Sequence, residues 1–201
     1  KVITGYKTSE KIKDKDFKLF VQWLYLMKSS NNATFSTYET FIRNNSDFPR
    51  IGRLQYLAEQ KIYLKNSSPK NIIRWFEDFP PVSGTGKLKL GEAYFDLKDI
   101  NSSKELVKEG WINADLSKSQ LRFYRKKFKS ILDSEDHIKR ADYLAWNRKY
   151  WDLKRMLVYL PSDFKALYNA RQILMSNSYG VDNAIAKVPD RFKKNIGLEY
   201  D

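Results

Sequence analysis

The stretch Gly84-Thr85-Gly86-Lys87 is the segment whose spacing comes nearest to a phosphate-binding loop. In such a loop the backbone N–H groups after a first glycine surround the phosphates, and a Ser or Thr follows the lysine. Here Pro81 stands where the first glycine is required, and Leu88 follows the lysine. We therefore expect a plain turn between two helices at this place, with no nucleotide or other cofactor.

His137 is the only histidine, and the chain contains no cysteine. The lack of cysteine excludes disulfides, thiolate catalysis and cysteine-based metal sites. A single imidazole has neither the partner ligands for a metal nor a recognisable serine nucleophile beside it. We expect no metal site, and we expect His137 in the first turn of a helix that Ser134 caps.

Two pairs of neighbouring carboxylates, Glu77-Asp78 and Glu135-Asp136, are the candidates for acid–base chemistry. Adjacent residues of a helix diverge by about 100°, so the two carboxylates of a pair do not converge on one substrate. Glu135 and Asp136 instead suit a first helical turn, where negative charge meets the positive end of the dipole. The chain alone is not expected to be catalytic.

The best candidate for a binding surface is the helical pattern over residues 116–132. Leu121, Tyr124, Phe128 and Leu132 share one face, and the aromatic rings there and at Trp111 are expected in the core. The opposite face is basic and carries Lys118, Arg122, Arg125, Lys126 and Lys129. Because the net charge is +13, this face could bind an anionic polymer, or it could be an ordinary solvated helix face.

Helical apolar spacing followed by an Asn, Ser, Pro or Gly break recurs from residue 16 onward, without strand-like alternation of comparable length. This predicts an all-α fold, a superhelical array of antiparallel helix hairpins (a TPR-like α-solenoid). Residues 1–15 are expected to be a frayed or truncated segment and residues 16–201 the superhelical domain. The apolar runs are too short for a membrane span, and no signal-peptide pattern follows Lys1.

The first helices have specific patterns. Phe17, Phe20, Val21, Leu24 and Tyr25 predict one buried stripe on a helix that ends near residue 29. The second helix is expected to begin at Ser36 or Thr37, to bury Tyr38, Phe41 and Ile42, and to stop at residues 44–49. The third runs over about 51–65.

Later helices are expected at about 69–79, 88–95, 102–111, 116–132, 135–146, 150–160, 163–177 and 182–188. Ser68-Pro69 marks the start of the first of these, in which Ile72, Ile73 and Phe76 are predicted to be buried and Trp75 and Phe79 to flank them. Residues 82–86 are expected to form a loop. Gly91 and Ala93 would let a neighbouring helix approach closely, and segments 94–107 and 144–157 suggest a repeat of about 50 residues.

Several segments, in this order, resemble the N-terminal superhelical domain of the soluble lytic murein transglycosylases of Gram-negative bacteria, of the shorter alphaproteobacterial type. The matching segments are YETFIRNNSDFP at 38–49, WF at 75–76, PP at 80–81, GTGKL at 84–88, LDSEDHI at 132–138, YLAW at 143–146 and GVDNAI at 180–185. The likeness covers about residues 17–201.

The resemblance implies a non-catalytic helical scaffold of a periplasmic enzyme that cleaves the bond between N-acetylmuramic acid and N-acetylglucosamine. The family's catalytic lysozyme-like domain has no counterpart in this sequence, so no catalytic residue is carried over and we expect a fragment. Peptidoglycan is the implied partner, approached through a helical wall whose positive charge suits stem-peptide carboxylates.

The sequence leaves two alternatives to a peptidoglycan scaffold. A free-standing helical-repeat adaptor would hold a protein partner on a concave face. Nucleic-acid binding is the less favoured reading, because it requires the five basic residues of 118–129 to align with further basic residues along a groove.

Overall fold

The computed structural model describes residues 13–64, 67–176 and 179–201, and every regular element in these ranges is helical. The all-α class is therefore confirmed. The α-helices are α1 Lys15–Leu26, α2 Phe35–Asn44, α3 Ile51–Lys61, α4 Pro69–Asp78, α5 Gly84–Asp96, α6 Ile100–Asn113, α7 Lys118–Lys127, α8 Ser134–Trp146, α9 Tyr150–Met156, α10 Ser162–Met175, α11 Val181–Ala186 and α12 Ile196–Tyr200. Short 3₁₀ helices lie at Leu157–Tyr159 and Asp190–Phe192.

Consecutive helices pack together in the pairs α2–α3, α4–α5, α5–α6, α8–α9, α9–α10 and α10–α11, and α5 with α6 forms the most extensive pair. Helices two apart also touch: α3 contacts α5, α6 contacts α8, and α8 contacts α10. These contacts link the chain from α3 to α10. The superhelical course of the whole array stays a prediction.

The hairpins α5–α6 and α8–α9 repeat the same local structure with an offset of 50 residues. Their first helices have equal length and begin after the N-caps Ser83 and Asp133. Both turns place a basic residue in the left-handed region, Lys98 at φ 66° and Arg148 at φ 51°. The backbone hydrogen bonds that close the two turns correspond pair by pair, for example Asp99 N–H to Tyr94 O and Lys149 N–H to Leu144 O, both 3.0 Å or shorter. The repeat predicted for segments 94–107 and 144–157 is thus present as two turns of matching geometry.

The α5–α6 hairpin is closely packed because glycines lie at the contact. A Cβ on Gly91 would come within 2.8 Å of Val107 Cγ2, and a Cβ on Gly110 within 2.7 Å of the Leu88 backbone nitrogen. Ser103 on α6 donates a hydrogen bond of 2.8 Å to the Gly91 carbonyl. The close approach expected at Gly91 is confirmed, with Gly110 as its counterpart on the facing helix.

The apolar interior consists of two clusters. One joins α1 to α4 and the other runs from α6 to the carboxyl-terminal helices. Helix α5 contributes to both, since Leu88 belongs to the second cluster while Leu90 and Ala93 belong to the first.

The predicted buried stripe of α1 is wrong in part. Tyr25 is buried, but Phe17, Phe20 and Leu24 are 43–49% exposed. The face that meets the core is rotated and runs through Leu19 and Trp23 to the fully buried Leu26. Aromatic residues lie on both faces of this helix, so periodicity alone selected the wrong face.

Two helix starts differ from the prediction. The N-cap of α2 is Thr34, not Ser36 or Thr37, and the N-cap of α8 is Asp133, not Ser134. Asp133 forms a reciprocal capping box with Asp136, and the Lys108 ammonium beside it lowers the pKa of Asp133 to about 2. Asp133 both caps α8 and forms an ion pair with Lys108 of α6, which a serine could not do.

Other bounds also shift. The predicted loop 82–86 ends at Ser83, because Gly84 already begins α5. The third helix ends at Lys61 instead of about residue 65, and helix α7 ends at Lys127 instead of residue 132. Trp75 is fully buried against Phe35 and is part of the core, whereas Ile73 only packs against its edge. The predicted start at Ser68-Pro69 is confirmed, with Ser68 Oγ accepting from Asn71 N–H.

Candidate functional site

The five basic residues singled out on the sequence lie on the outside of α7 and the turn that follows it. Each of them is exposed. Arg125 lies over the Tyr159 ring at 4.4 Å, and no ion pair joins any of the five to the residues described. A row of uncompensated cations remains available to an anionic partner, although exposure alone is equally typical of a solvated face. These residues are Lys118, Arg122, Arg125, Lys126 and Lys129.

The inner face of α7 is fixed to α5 by a buried polar network that the sequence did not indicate. Tyr124 Oη donates to Glu92 Oε2 at 3.0 Å, and Lys127 Nζ donates to Glu92 Oε1 at 2.8 Å. Burial and the Glu92 carboxylate both raise the pKa of Tyr124. Tyr124 is thus a core residue, as expected, and its hydroxyl remains a donor.

The glycine stretch at 84–87 is the first turn of α5, and its anion is supplied by the protein itself. Glu59, fully buried on α3, accepts from Val82 N–H at 2.7 Å and also from the Ser83 hydroxyl. A Cβ on Gly86 would lie 2.4 Å from the Glu59 carboxyl carbon. A carboxylate therefore already occupies the positive end of the helix where a phosphate would bind. Burial raises the pKa of Glu59, and these hydrogen bonds oppose the rise.

His137 lies in the first turn of α8, as expected, with its ring between Trp111 at 5.3 Å and Tyr159 at 6.3 Å. Its Nδ1 is buried and has no hydrogen-bond partner among the described atoms. Burial, assisted by the nearby Arg125 charge, lowers the pKa of His137. The imidazole is a packing group that the fold holds neutral.

We expect acid to destabilise the protein partly through His137. The folded state lowers its pKa, so the neutral ring contributes stability above the unfolded-state pKa of about 6.5, and this is lost as the pH falls through the folded value. The His137→Phe variant should lose less free energy of unfolding than wild type between neutral pH and pH of about 5. Urea unfolding at both pH values measures the difference; equal losses in the two proteins would contradict it.

A polar cavity of about 300 Å³ opens where α3, α6 and α8 meet. Tyr56 and Tyr143 line it, together with Gln60, Asn113 and Asp115. Tyr56 Oη donates to Asp115 at 3.4 Å, and Lys149 forms an ion pair with the same carboxylate. The cavity therefore has two aromatic rings and several fixed hydrogen-bonding groups.

A second cavity of about 520 Å³ shares the lining residue Tyr143 with the first. It extends across α8 to Trp146, Asn147 and Asp142, and to Tyr168 on α10. Trp146 is 43% exposed, and its position is fixed by the Arg171 guanidinium at 4.9 Å. We call the two cavities together the aromatic groove.

The aromatic groove has the composition of a sugar-binding surface. Aromatic rings offer flat apolar faces to the C–H faces of a pyranose, while amide and carboxylate groups can meet its hydroxyls. The sequence pattern does not reveal this groove, because its residues come from five helices, α3, α5, α6, α8 and α10, that are far apart in the chain. The one local indication of the groove is the spacing of Tyr143, Trp146 and Asn147, which places these side chains on the same face at the end of α8.

Within the described ranges, no three His, Cys, Asp or Glu side chains converge as a metal site would require. None of the helices described has the length and apolar character needed to cross a membrane.

Comparison with known proteins adds no relative: no protein-family model, curated protein or solved structure matches this chain.

Proposed function

We propose that this chain is the non-catalytic helical scaffold of a soluble lytic transglycosylase, and that its aromatic groove guides a peptidoglycan glycan strand. The observation that carries the proposal is the pair of adjoining cavities around Tyr143. The cavities, of about 300 and 520 Å³, share Tyr143 and so offer two neighbouring subsites, which suits a polymer better than a single sugar. The proposal includes a superhelical course of the hairpins and a periplasmic location.

The resemblance supports the same function from a different direction. Three of its matching segments fall at helix starts: 80–88 leads from the loop after α4 into α5, 132–138 spans the α8 capping box, and Gly180 precedes α11 in a left-handed conformation. These positions determine how one helix pair follows the next. Part of the likeness therefore lies in residues that set the architecture.

The basic face of α7 gives the proposed scaffold a second contact. Peptidoglycan carries carboxylates on its stem peptides, and exposed lysines and arginines attract them at a distance. Such an attraction is weakened by salt. We expect weak, salt-sensitive binding to whole sacculi and no release of 1,6-anhydro sugars by this chain alone.

Removing one aromatic ring of the groove should weaken glycan binding by about five-fold, because each ring supplies a stacking surface worth about 1 kcal/mol. The variants are Tyr143→Ala and Trp146→Ala, measured by NMR titration with a soluble tetramer of N-acetylglucosamine. Trp151→Ala is the matched control, since Trp151 is 65% exposed and lies outside the groove on α9. Circular dichroism confirms that each variant is folded.

Equal tetramer binding by the groove variants and wild type would refute the proposed glycan path. Binding to sacculi should also fall when Arg122, Lys126 and Lys129 are all changed to Gln, whereas tetramer binding should not, because the tetramer is uncharged. Tight sacculus binding that is unchanged by raised salt would argue against an electrostatic contribution.

The adaptor is a second candidate, favoured by the exposed apolar face of α1. Phe17, Phe20 and Leu24 are each more than two-fifths exposed, and Phe20 stacks on Trp23 at 5.9 Å. Exposed apolar clusters of this kind mark protein contacts. If the protein bound neither the tetramer nor the sacculi, this apolar face would favour the adaptor function.

A further inference from the structure

A cleft of about 480 Å³ lies between the carboxyl-terminal end of α3, the middle of α5 and the start of α7, and it shares Gln60 with the aromatic groove but none of the groove's aromatic rings. Its walls are largely apolar and include Ile62, Leu64, Phe123 and the ring of Tyr124. Its volume lies within the range of small-molecule sites, about 300–1,000 Å³. Phe123, 51% exposed, lies at its edge.

The ammonium group of Lys89 lies in this cleft and is not fully satisfied. The Lys89 side chain is only 9% exposed, and its nearest carboxylate oxygen is Glu92 Oε2 at 3.7 Å, too far for a hydrogen bond. The two oxygens of Glu92 already accept from Tyr124 and Lys127. Glu92 and the Tyr124 ring, whose centroid is 5.3 Å from Lys89 Nζ, offset part of this charge, but the N–H donors of Lys89 remain available to a ligand in the cleft.

The surrounding charges restrict what could complete this site. Two carboxylates, Glu92 and Asp96, face two lysines: Lys127 contacts both at 2.8 Å, and Lys89 pairs with Glu92 at 3.7 Å. A singly charged anion can pair with Lys89 across the cleft, whereas a dianion would bring a second negative charge toward Glu92. Burial lowers the pKa of Lys89, and a bound anion would oppose that shift.

We propose that the cleft binds a small organic carboxylate with an apolar body, the carboxylate oxygens accepting from Lys89 and the body packing between Phe123, Ile62 and Leu64. This site does not depend on the peptidoglycan function. Its ligand differs from the neutral sugar that the aromatic groove would take.

The test is an NMR titration of the whole chain with 3-phenylpropionate, beside its uncharged analogue 3-phenylpropan-1-ol. We expect saturable shifts of the amides of Ser119 and Phe123, and binding of the alcohol about ten-fold weaker, because a charge-assisted hydrogen bond is lost. Lys89→Met should abolish the preference for the acid. Lys87→Met is the matched control on the same helix, because Lys87 pairs with Glu109 away from the cleft.

Equal affinities for the acid and the alcohol would overturn the proposal, as would an unchanged acid preference in Lys89→Met or the absence of saturable shifts. Phe123→Ala provides a second check if Lys89→Met fails to fold, because Phe123 is exposed and its removal should weaken both compounds by a similar factor. Tighter binding of 3-phenylpropylphosphonate than of the carboxylate would also contradict the choice of a monoanion.

Discussion

Replacing Gly110 by alanine is expected to destabilise the protein by about 2–3 kcal/mol. The new Cβ would lie 2.7 Å from the Leu88 nitrogen and 2.8 Å from the Gly84 carbonyl oxygen. Both are backbone atoms of α5, which cannot move aside as a flexible side chain would. The higher helix propensity of alanine, worth about 1 kcal/mol, offsets only part of the strain. Urea unfolding followed by circular dichroism measures the change.

Gly52→Ala is the matched control, since Gly52 lies in α3 and a Cβ there meets nothing within 4 Å. We expect its free energy of unfolding to stay unchanged or to rise by less than about 1 kcal/mol. If Gly110→Ala proved as stable as Gly52→Ala, α5 and α6 would not be as close as described.

Removing the Arg171 guanidinium is expected to cost about 3–5 kcal/mol, because it leaves buried carboxylate charge without a partner. The residue is fully buried on α10, and its Nε donates to Asp201 at 2.6 Å while Nη1 contacts Asp142 at 3.1 Å. Gly197 lies against the guanidinium, where a Cβ would come within 2.3 Å. Arg171→Met should therefore also release α12, which hydrogen exchange of the Leu198 amide would detect.

An exposed ion pair provides the comparison for this prediction. Arg191 pairs with Asp163 at 2.6 Å, but the two side chains are 60% and 45% exposed. Arg191→Met should change the free energy of unfolding by no more than about 1 kcal/mol. In addition, Arg171→Met combined with Asp201→Leu should cost less than the sum of the single changes, since the double variant leaves one buried carboxylate fewer. Strict additivity would mean that the two residues do not interact.

Local signals in the sequence were sufficient for the helical class and for several helix starts. Ser68 before Pro69 caps α4, and Asn147 to Lys149 reverses the chain, because capping and turn formation depend on neighbouring residues. The small residue Gly91 likewise indicated a close helix contact. These features need no knowledge of the rest of the fold.

The rest depended on contacts between distant segments. Glu59 binds the start of α5, and Arg140 donates to the Trp111 and Ala114 carbonyls at the end of α6. From the sequence alone, each of these charged residues would be expected at the surface, because lysine, arginine and glutamate are usually exposed. The aromatic groove was unpredictable for the same reason, since Tyr56 and Tyr143 meet only after the hairpins have stacked.

The position of α5 in both apolar clusters has a consequence for cooperativity. In a linear array, each half could unfold while the other stayed intact. Here one helix supplies Leu88 to one cluster and Leu90 with Ala93 to the other. Loss of either half would expose one side of α5 and weaken its contact with the remaining half, so we expect the two halves to be energetically linked and to unfold together.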